Sequence, residues 1–282
     1  MTPSAQLRLR GPEEAWRHRA HDVGHVLQRW RAVARVAGLE WRVIYETGGY
    51  PVYFLRSGRA GERPLYFSAG VHGDEAGAVL GLLEWAERSG AYLRRADLIL
   101  IPLFNPVGLA MNTRGDAEGA DLNRLFDCAR HPHIAAWRQA LAGCAPRAAV
   151  CLHEDYDAQG LYGYELNRDR NLHLAEQCLA QAEGIVPRDP RRRIEGRAAQ
   201  RGVIRRRRLP MAEHLPEAVA LYEAGTDCAL TFETPSEGCL QARSRAQSCL
   251  LDAVCAWDQA GGSRIVKISQ DDLVSRGDSR KD

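Results

Sequence analysis

Apolar positions recur along this chain in two rhythms. From Glu13 to Val36 they fall at helical spacing (Trp16, Val23, Leu27, Trp30, Val33), which predicts an N-terminal amphipathic helix over 13–36. Two β-like runs follow, Trp41–Thr47 and Pro51–Ser57, with Gly48-Gly49 as the turn between them. Beyond them the rhythms alternate. Strands are predicted at Pro64–Val71, Asp97–Phe104, Ala148–Leu152 and Ala229–Phe232. Helices are predicted at Glu75–Arg88, Ile134–Leu141, Leu172–Ala182, Pro216–Ala224 and Cys239–Trp257. Asp97–Phe104 (DLILIPLF) is a continuous apolar run, as expected of a strand covered on both faces. Strands alternating with helices predict a single α/β domain over 1–262, with a mixed, mostly parallel central sheet flanked by helices. From 263 to 282 the chain is polar and lacks aromatics, which reads as a loosely held tail with one short strand at Ile265–Ile268. There is no internal repeat.

Composition narrows the picture. A chain of 282 residues, 45% hydrophobic and 26% charged, has enough apolar material for one sizeable soluble core. Thirty-eight basic against 36 acidic residues leave a net charge of +2, which argues against nucleic acid or membrane as the main partner. No stretch approaches the roughly 20 apolar residues of a spanning helix. Met1–Pro12 has arginines without an apolar run behind them, so the expectation is no secretory signal and a cytoplasmic location. The eight cysteines form no CxxC pair and read as small apolar residues rather than a disulfide framework or a structural zinc site. Arg188–Arg208 carries ten arginines; it reads as a solvated surface excursion, with an anion-binding surface as the alternative.

The densest chemistry lies where strands end. Gly70-Val71-His72-Gly73-Asp74-Glu75 joins a predicted strand to a predicted helix, and strand ends project side chains into the crevice where α/β sheets bind ligands. His72 and Glu75 can converge on one ion across that turn. A catalytic zinc takes about three protein ligands and keeps an open position for water, and Val150-Cys151-Leu152-His153 supplies a third donor at another strand end. Taken singly, His72-x-x-Glu75 also fits a capping interaction and His153 a hydrogen-bonded core histidine; together they make a two-histidine, one-carboxylate zinc set. Between them stand Asn105-Pro106-Val107-Gly108, Asn112-Thr113-Arg114 and Asp121-Leu122-Asn123-Arg124. Their two arginines would bring positive charge beside a metal, suited to a carboxylate or a developing oxyanion, or else are ordinary surface residues. Leu230-Thr231-Phe232-Glu233 places a carboxylate at the end of an apolar strand, where a glutamate can act as general base.

From Tyr66 to Glu237 these motifs, in this order, resemble the zinc metallocarboxypeptidase family, with succinylglutamate desuccinylase and aspartoacylase as more distant relatives. The resemblance implies a carboxypeptidase-like fold holding one zinc per chain on His72, Glu75 and His153. It implies that Arg114 polarises the scissile carbonyl, that Asn123 and Arg124 grip a terminal carboxylate, that Asp121 orients His72, and that Glu233 is the base. Three features depart from the family pattern. The tyrosine that covers substrate is not identified among Tyr156, Tyr162, Tyr164 and Tyr222; the segment after His153 (Glu154-Asp155-Tyr156-Asp157) is acidic; and the arginine-rich excursion has no assigned counterpart.

The activity expected is removal of a C-terminal residue from a peptide or peptide-like substrate with a free carboxylate. The alternatives are an amidase of cell-wall peptides or a deacylase of N-acyl amino acids, then a non-catalytic metal, peptide or polyanion binder. Oligomeric state is not legible.

Overall fold

The apolar runs of the sequence become the centre of a sheet. In a computed structural model that describes residues 19–57, 61, 63–169, 171–206 and 214–262, four strands run parallel: β3 (Leu65–Ala69), β4 (Leu98–Ile101), β5 (Ala148–Asp155) and β10 (Cys228–Pro235). A hairpin of β1 (Glu40–Thr47) and β2 (Tyr50–Arg56) adds antiparallel to β4 at one edge. At the other edge β6 (Tyr162–Asn167) pairs antiparallel with β10, and β9 (Val203–Arg205) pairs parallel with β6. Among the described residues the order is thus β1-β2-β4-β3-β5-β10-β6-β9, and β7 (Arg193–Ile194) with β8 (Arg197–Ala198) forms a separate two-stranded hairpin. The mixed, mostly parallel α/β sheet expected from the alternation is what forms.

Helices cover both faces. The helices are α1 (Val23–Ala37), α2 (Ala76–Arg88), α3 (Gly90–Leu93), α4 (Pro106–Met111), α5 (Pro132–Ala140), α6 (Leu174–Ala182), α7 (Glu217–Glu223) and α8 (Leu240–Gln259). One core joins α1, α2, α6 and α8 to Leu65, Phe67, Leu98, Leu100, Ala148, Val150, Leu152, Leu230 and Phe232. The other joins α5 and α7 to Tyr66, Ile99, Ile101, Ala149, Cys151 and Ala229. Successive strand residues therefore point into different cores, as the period of two requires.

Several boundaries differ from the sequence expectation. The N-terminal helix starts at Val23, because Asp22 accepts a hydrogen bond from the His25 amide at 2.8 Å and caps it; residues 19–22 form a turn, and 13–18 lie outside the described residues. β4 stops at Ile101, where Pro102 has no N–H to continue the ladder. β5 and β10 run on past the apolar stretch to Asp155 and Pro235, so His153 and Glu233 lie within strands near their carboxyl ends rather than at the last residue. The expected strand at Ile265–Ile268 and the tail 263–282 lie outside the described residues. Among the described residues no cysteine is in a disulfide, and Cys151, Cys178, Cys228 and Cys255 are buried. No helix among them is long and apolar enough to cross a membrane.

Candidate metal centre

The chain leaves β3 for β4 on one side and then crosses back over β3 to β5 on the other, so the strand order reverses between β3 and β5. At such a switch point the loops after the two strands diverge and open a crevice at their carboxyl ends. His72 follows β3, and His153 stands near the end of β5. The loop carrying His72 is held close by two glycines. Gly70 has φ +69°, and a Cβ there would come within 2.7 Å of Val79 and 2.9 Å of Leu103. A Cβ at Gly73 would run into the backbone of Gly108. This close approach sets α4, and the loop after it, against the histidine loop.

His72, Glu75 and His153 are all buried, and one ligand atom from each lies within 4.8 Å of the others. Both imidazoles present Nδ1 to the same carboxylate: His72 Nδ1 is 2.5 Å from Glu75 Oε1, and His153 Nδ1 is 2.9 Å from Glu75 Oε2. The second contact is not aligned as a hydrogen bond, and Oε2 is buried without a hydrogen-bond partner. His72 Nε2 faces Asp121 Oδ1 at 3.1 Å. A carboxylate only accepts, so with a cation on Nδ1 this bond would keep the ring proton on Nε2 and leave the Nδ1 lone pair for the ion. Two imidazole nitrogens and an orphaned carboxylate oxygen at this spacing fit a divalent cation of the zinc type.

Charge follows the same logic. Burial by itself would raise Glu75, but His153 and His72 hold it down to about 2. Burial would lower both histidines, yet Glu75 keeps each above its ordinary value, helped by Asp121 at His72. Asp121 is held well below the usual carboxylate range: partial burial opposes this, while His72, Arg114 and Arg124 favour it. The cluster thus calls for positive charge between its carboxylates.

The remaining residues singled out in the sequence gather around this cluster. Asn105 caps α4, accepting from the Gly108 amide at 2.9 Å while its Nδ2 donates to Gly115 O at 2.9 Å, and so sets the loop bearing Arg114. Arg114 donates through Nε to Asp121 Oδ2 at 3.0 Å, and its Nη1 reaches 3.8 Å from Glu75 Oε1. Asp121 also caps the 3₁₀ turn Leu122–Arg124, accepting from the Asn123 amide at 2.9 Å. Arg124 is exposed and donates to Asn123 O at 2.9 Å. Asn123 is buried, and its Oδ1 accepts from the Glu217 amide at the start of α7 at 2.9 Å.

Glu233 pairs in register with His153 on one side and Tyr162 on the other, so the three occupy one row across β5, β10 and β6. It is partly exposed. Loss of solvent pushes its carboxyl well above the usual range; His153 opposes, while Glu75, Asp155 and Glu195 add to the rise. That favours a group able to hold a proton as well as to release one.

The unassigned segments now have places. Glu154 points to the opposite face from His153 and bonds Gly77, Thr234 and Arg243, whereas Asp155 bonds Tyr162 and adds negative charge near Glu233. Tyr162 is buried and donates to Asp155 Oδ2 at 2.9 Å, and Tyr164 donates to Glu195. Tyr156 is 77% exposed. Tyr222 lies under the Arg168 guanidinium near the amino end of β10, away from Glu233, and is removed from the candidates. Four arginines of the excursion are paired: Arg191 with Asp189 inside it, Arg205 with Glu165 of β6, Arg201 with Glu176 of α6 and Arg188 with Glu183 just after α6. It is more than a solvated excursion, since Ile194 of its hairpin packs on Tyr162; Arg207 and Arg208 lie outside the described residues. Asn105 had no role in the sequence reading, and Tyr162 stood there only as one of four tyrosines considered for covering substrate. Asn-Pro after a strand is a legible helix start; nothing local marked Tyr162.

Residues 62–142 match the family model of the succinylglutamate desuccinylase/aspartoacylase catalytic domain, a segment containing His72, Glu75, Arg114, Asp121, Asn123 and Arg124 but not His153 or Glu233. No curated protein matches the sequence. Among solved structures, the chain is similar to a candidate metallopeptidase from Shewanella amazonensis (TM-score 0.74, 21% identity, 83% of this chain and 92% of that one). It is also similar to a metallo-carboxypeptidase from Burkholderia cenocepacia (TM-score 0.65, 16% identity, 83% and 68%). A third is a metallo-carboxypeptidase from Pseudomonas aeruginosa in complex with (2-guanidinoethylmercapto)succinic acid (TM-score 0.57, 19% identity, 81% and 68%). The chain therefore has the metallo-carboxypeptidase fold and, over residues 62–142, the pattern of the succinylglutamate desuccinylase/aspartoacylase catalytic domain.

Proposed function

We propose that the protein is a zinc-dependent hydrolase of an amide bond adjacent to a free carboxylate, acting as a carboxypeptidase. The observation that carries this reading is the convergence of His72 Nδ1, His153 Nδ1 and the Glu75 carboxylate, with Glu233 next to His153 in register. His72, Glu75 and His153 hold one zinc; when bound, the ion polarises a carbonyl and lowers the pKa of water. Glu233 takes a proton from the attacking water and returns it to the leaving nitrogen, a shuttle its raised pKa favours. Arg114, already near Glu75 and steadied by Asp121, donates to the carbonyl oxygen as negative charge develops. Exposed Arg124, with Asn123 beneath it, receives the substrate carboxylate.

A second reading, deacylation of N-acyl amino acids, is favoured by the family-model match over 62–142. It uses the same residues and differs in what flanks the amide. The deciding experiment is a panel of peptides with acidic, basic, aromatic and γ-linked C-termini beside N-acyl amino acids, each with a free and an amidated carboxylate. The carboxypeptidase reading expects turnover of free-acid peptides and strong loss on amidation. Turnover confined to N-acyl amino acids would replace it by the second reading, and equal cleavage of amidated peptides would remove the carboxylate receptor.

A further inference from the structure

Glu154 is a fully interior carboxylate that the reaction does not use. Strand alternation turns it away from the metal ligands, into the core between α2 and α8. There it accepts from the Gly77 amide at 2.7 Å, from Thr234 Oγ1 at 3.1 Å and from Arg243 Nη1 at 2.9 Å. Each contact is one step removed from the site. Glu154 follows His153, Thr234 follows Glu233, and Gly77 stands two residues after Glu75. Gln247 extends the arrangement, donating to His153 O at 2.6 Å and sharing Thr234 Oγ1 at 3.1 Å.

The surrounding sequence makes room for this carboxylate. A Cβ at Gly77 would run into Glu154 Oε1, and one at Gly81, a turn later, would meet Gln247 Cβ at 2.5 Å and Ser244 O at 2.9 Å. Glycine inside a helix is disfavoured relative to alanine. Two on one face of α2 let α8 and Glu154 approach the backbone that carries Glu75.

From this geometry we infer that Glu154 is a positioning residue: with Arg243 it sets the separation of Glu75, His153 and Glu233, and so tunes zinc affinity and the placement of the base together. The inference rests on the zinc-hydrolase reading. A ligand set held rigidly binds its ion more tightly than one that must be assembled, and loss of such supporting partners typically weakens metal binding about 10–100-fold.

The test compares two α2–α8 links. Arg88 and Asp252 join the same helices, with Arg88 Nη2 2.6 Å from Asp252 Oδ2, but touch no neighbour of the site. Zinc affinity is read by competition with a chelator on the full chain, beside thermal stability and kcat and KM on the substrate turned over in the panel. Glu154→Gln should weaken zinc roughly 10–100-fold and lower kcat with KM within about twofold of wild type. Asp252→Asn should lower thermal stability with zinc affinity unchanged. Should Glu154→Gln fail to fold with Arg243 unpaired, Glu154→Gln/Arg243→Met removes the buried charge and should show the same loss of zinc affinity. Wild-type zinc affinity in a folded Glu154 variant, or an equal loss in Asp252→Asn, would overturn the inference and leave the functional reading standing. A wild-type protein that binds no zinc would overturn both. Zinc binding without any turnover would overturn the functional reading alone, since chelator competition still decides the role of Glu154.

Discussion

His153 and Glu154 are consecutive residues of one strand, and Glu233 and Thr234 are their partners in register on the next. His153 and Glu233 face the crevice, and Glu154 and Thr234 face the helical core. On the crevice side, Glu75 Oε2, 2.9 Å from His153 Nδ1, is buried without a hydrogen-bond partner. On the core side, Glu154 has an amide, a hydroxyl and a guanidinium. A buried carboxylate is ordinarily satisfied, so the orphaned Glu75 oxygen beside a fully partnered Glu154 marks the reacting face. A period of two lets two adjacent carboxylates on paired strands serve opposite ends: one left reactive, the other spent on geometry.

The largest effect that would break the comparison is loss of a ligand. His153→Ala should leave the purified protein with no stoichiometric zinc by elemental analysis, and with no activity. Full zinc occupancy in that variant would remove the crevice face from metal binding. Next comes the base. Glu233→Gln removes no ligand, so zinc should stay near one per chain while turnover falls on the order of 10²–10⁴-fold or more. Near-normal turnover would move the base elsewhere, and Glu154, facing the core, is not available to take the role.

How much of this was legible depended on whether the signal was local. The parallel core was plain because Leu98–Ile101 and Ala148–Leu152 are buried on both faces and read as unbroken apolar runs, and Ala229–Phe232 is interrupted only by half-buried Thr231. His72, Glu75 and His153 were legible because a metal needs donors of known type near strand ends, and the structure brings those three together. The ends of β5 and β10 were not, since His153-Glu154-Asp155 and Glu233-Thr234 interrupt the apolar run that marked each strand. β6 was missed because Tyr162–Asn167 mixes glycine and polar residues and gains its place by pairing with β10. The role of Glu154 rests on Gly77 and Arg243, distant in sequence, and no spacing rule links them.

Two arginines sharpen the crevice side. Arg114 lies 3.8 Å from Glu75 and is held by Asp121, whereas Arg124 is exposed and bonds its own turn. A contact made only as charge develops lowers kcat when lost; one made equally in ground and transition state raises KM. Arg114→Ala should therefore reduce kcat by roughly 10²–10³-fold. Arg124→Ala should raise KM by about 10–100-fold, the loss of a charge-assisted hydrogen bond to a carboxylate. Steady-state kinetics on one free-acid substrate separates the two, and a double-mutant cycle with an amidated substrate should show little further loss for Arg124→Ala. If both arginines changed KM alone, the oxyanion role of Arg114 would fall.

The smallest effect concerns a second buried carboxylate, on the crevice side of the sheet. Glu217 lies beneath the site, accepting from Tyr66 and, at 2.9 Å, from Ser68, while Trp137 donates to Tyr66 Oη at 2.9 Å. Glu154 has a guanidinium; Glu217 has only neutral donors. Burial raises the pKa of both: that of Glu154 to about 7 against the Arg243 charge, and that of Glu217 against the hydrogen bonds from Tyr66 and Ser68 and the charge of His153. The sign of the consequence follows from linkage. Below the unfolded-state pKa the group is protonated in both states and contributes no pH dependence. As pH rises through that value, the unfolded chain releases the proton while the native chain retains it, so stability falls until the native pKa is passed. Glu217→Gln keeps a neutral acceptor in the same place and removes this loss. Urea midpoints of zinc-loaded wild type and variant, measured at pH 5 and pH 8, should show the variant gaining on wild type as pH rises, with zinc content equal in the two. A constant difference between them at both pH values would mean that Glu217 titrates alike in the folded and unfolded chain. Burial of Glu217 among neutral hydroxyl and thiol donors would then have no thermodynamic counterpart.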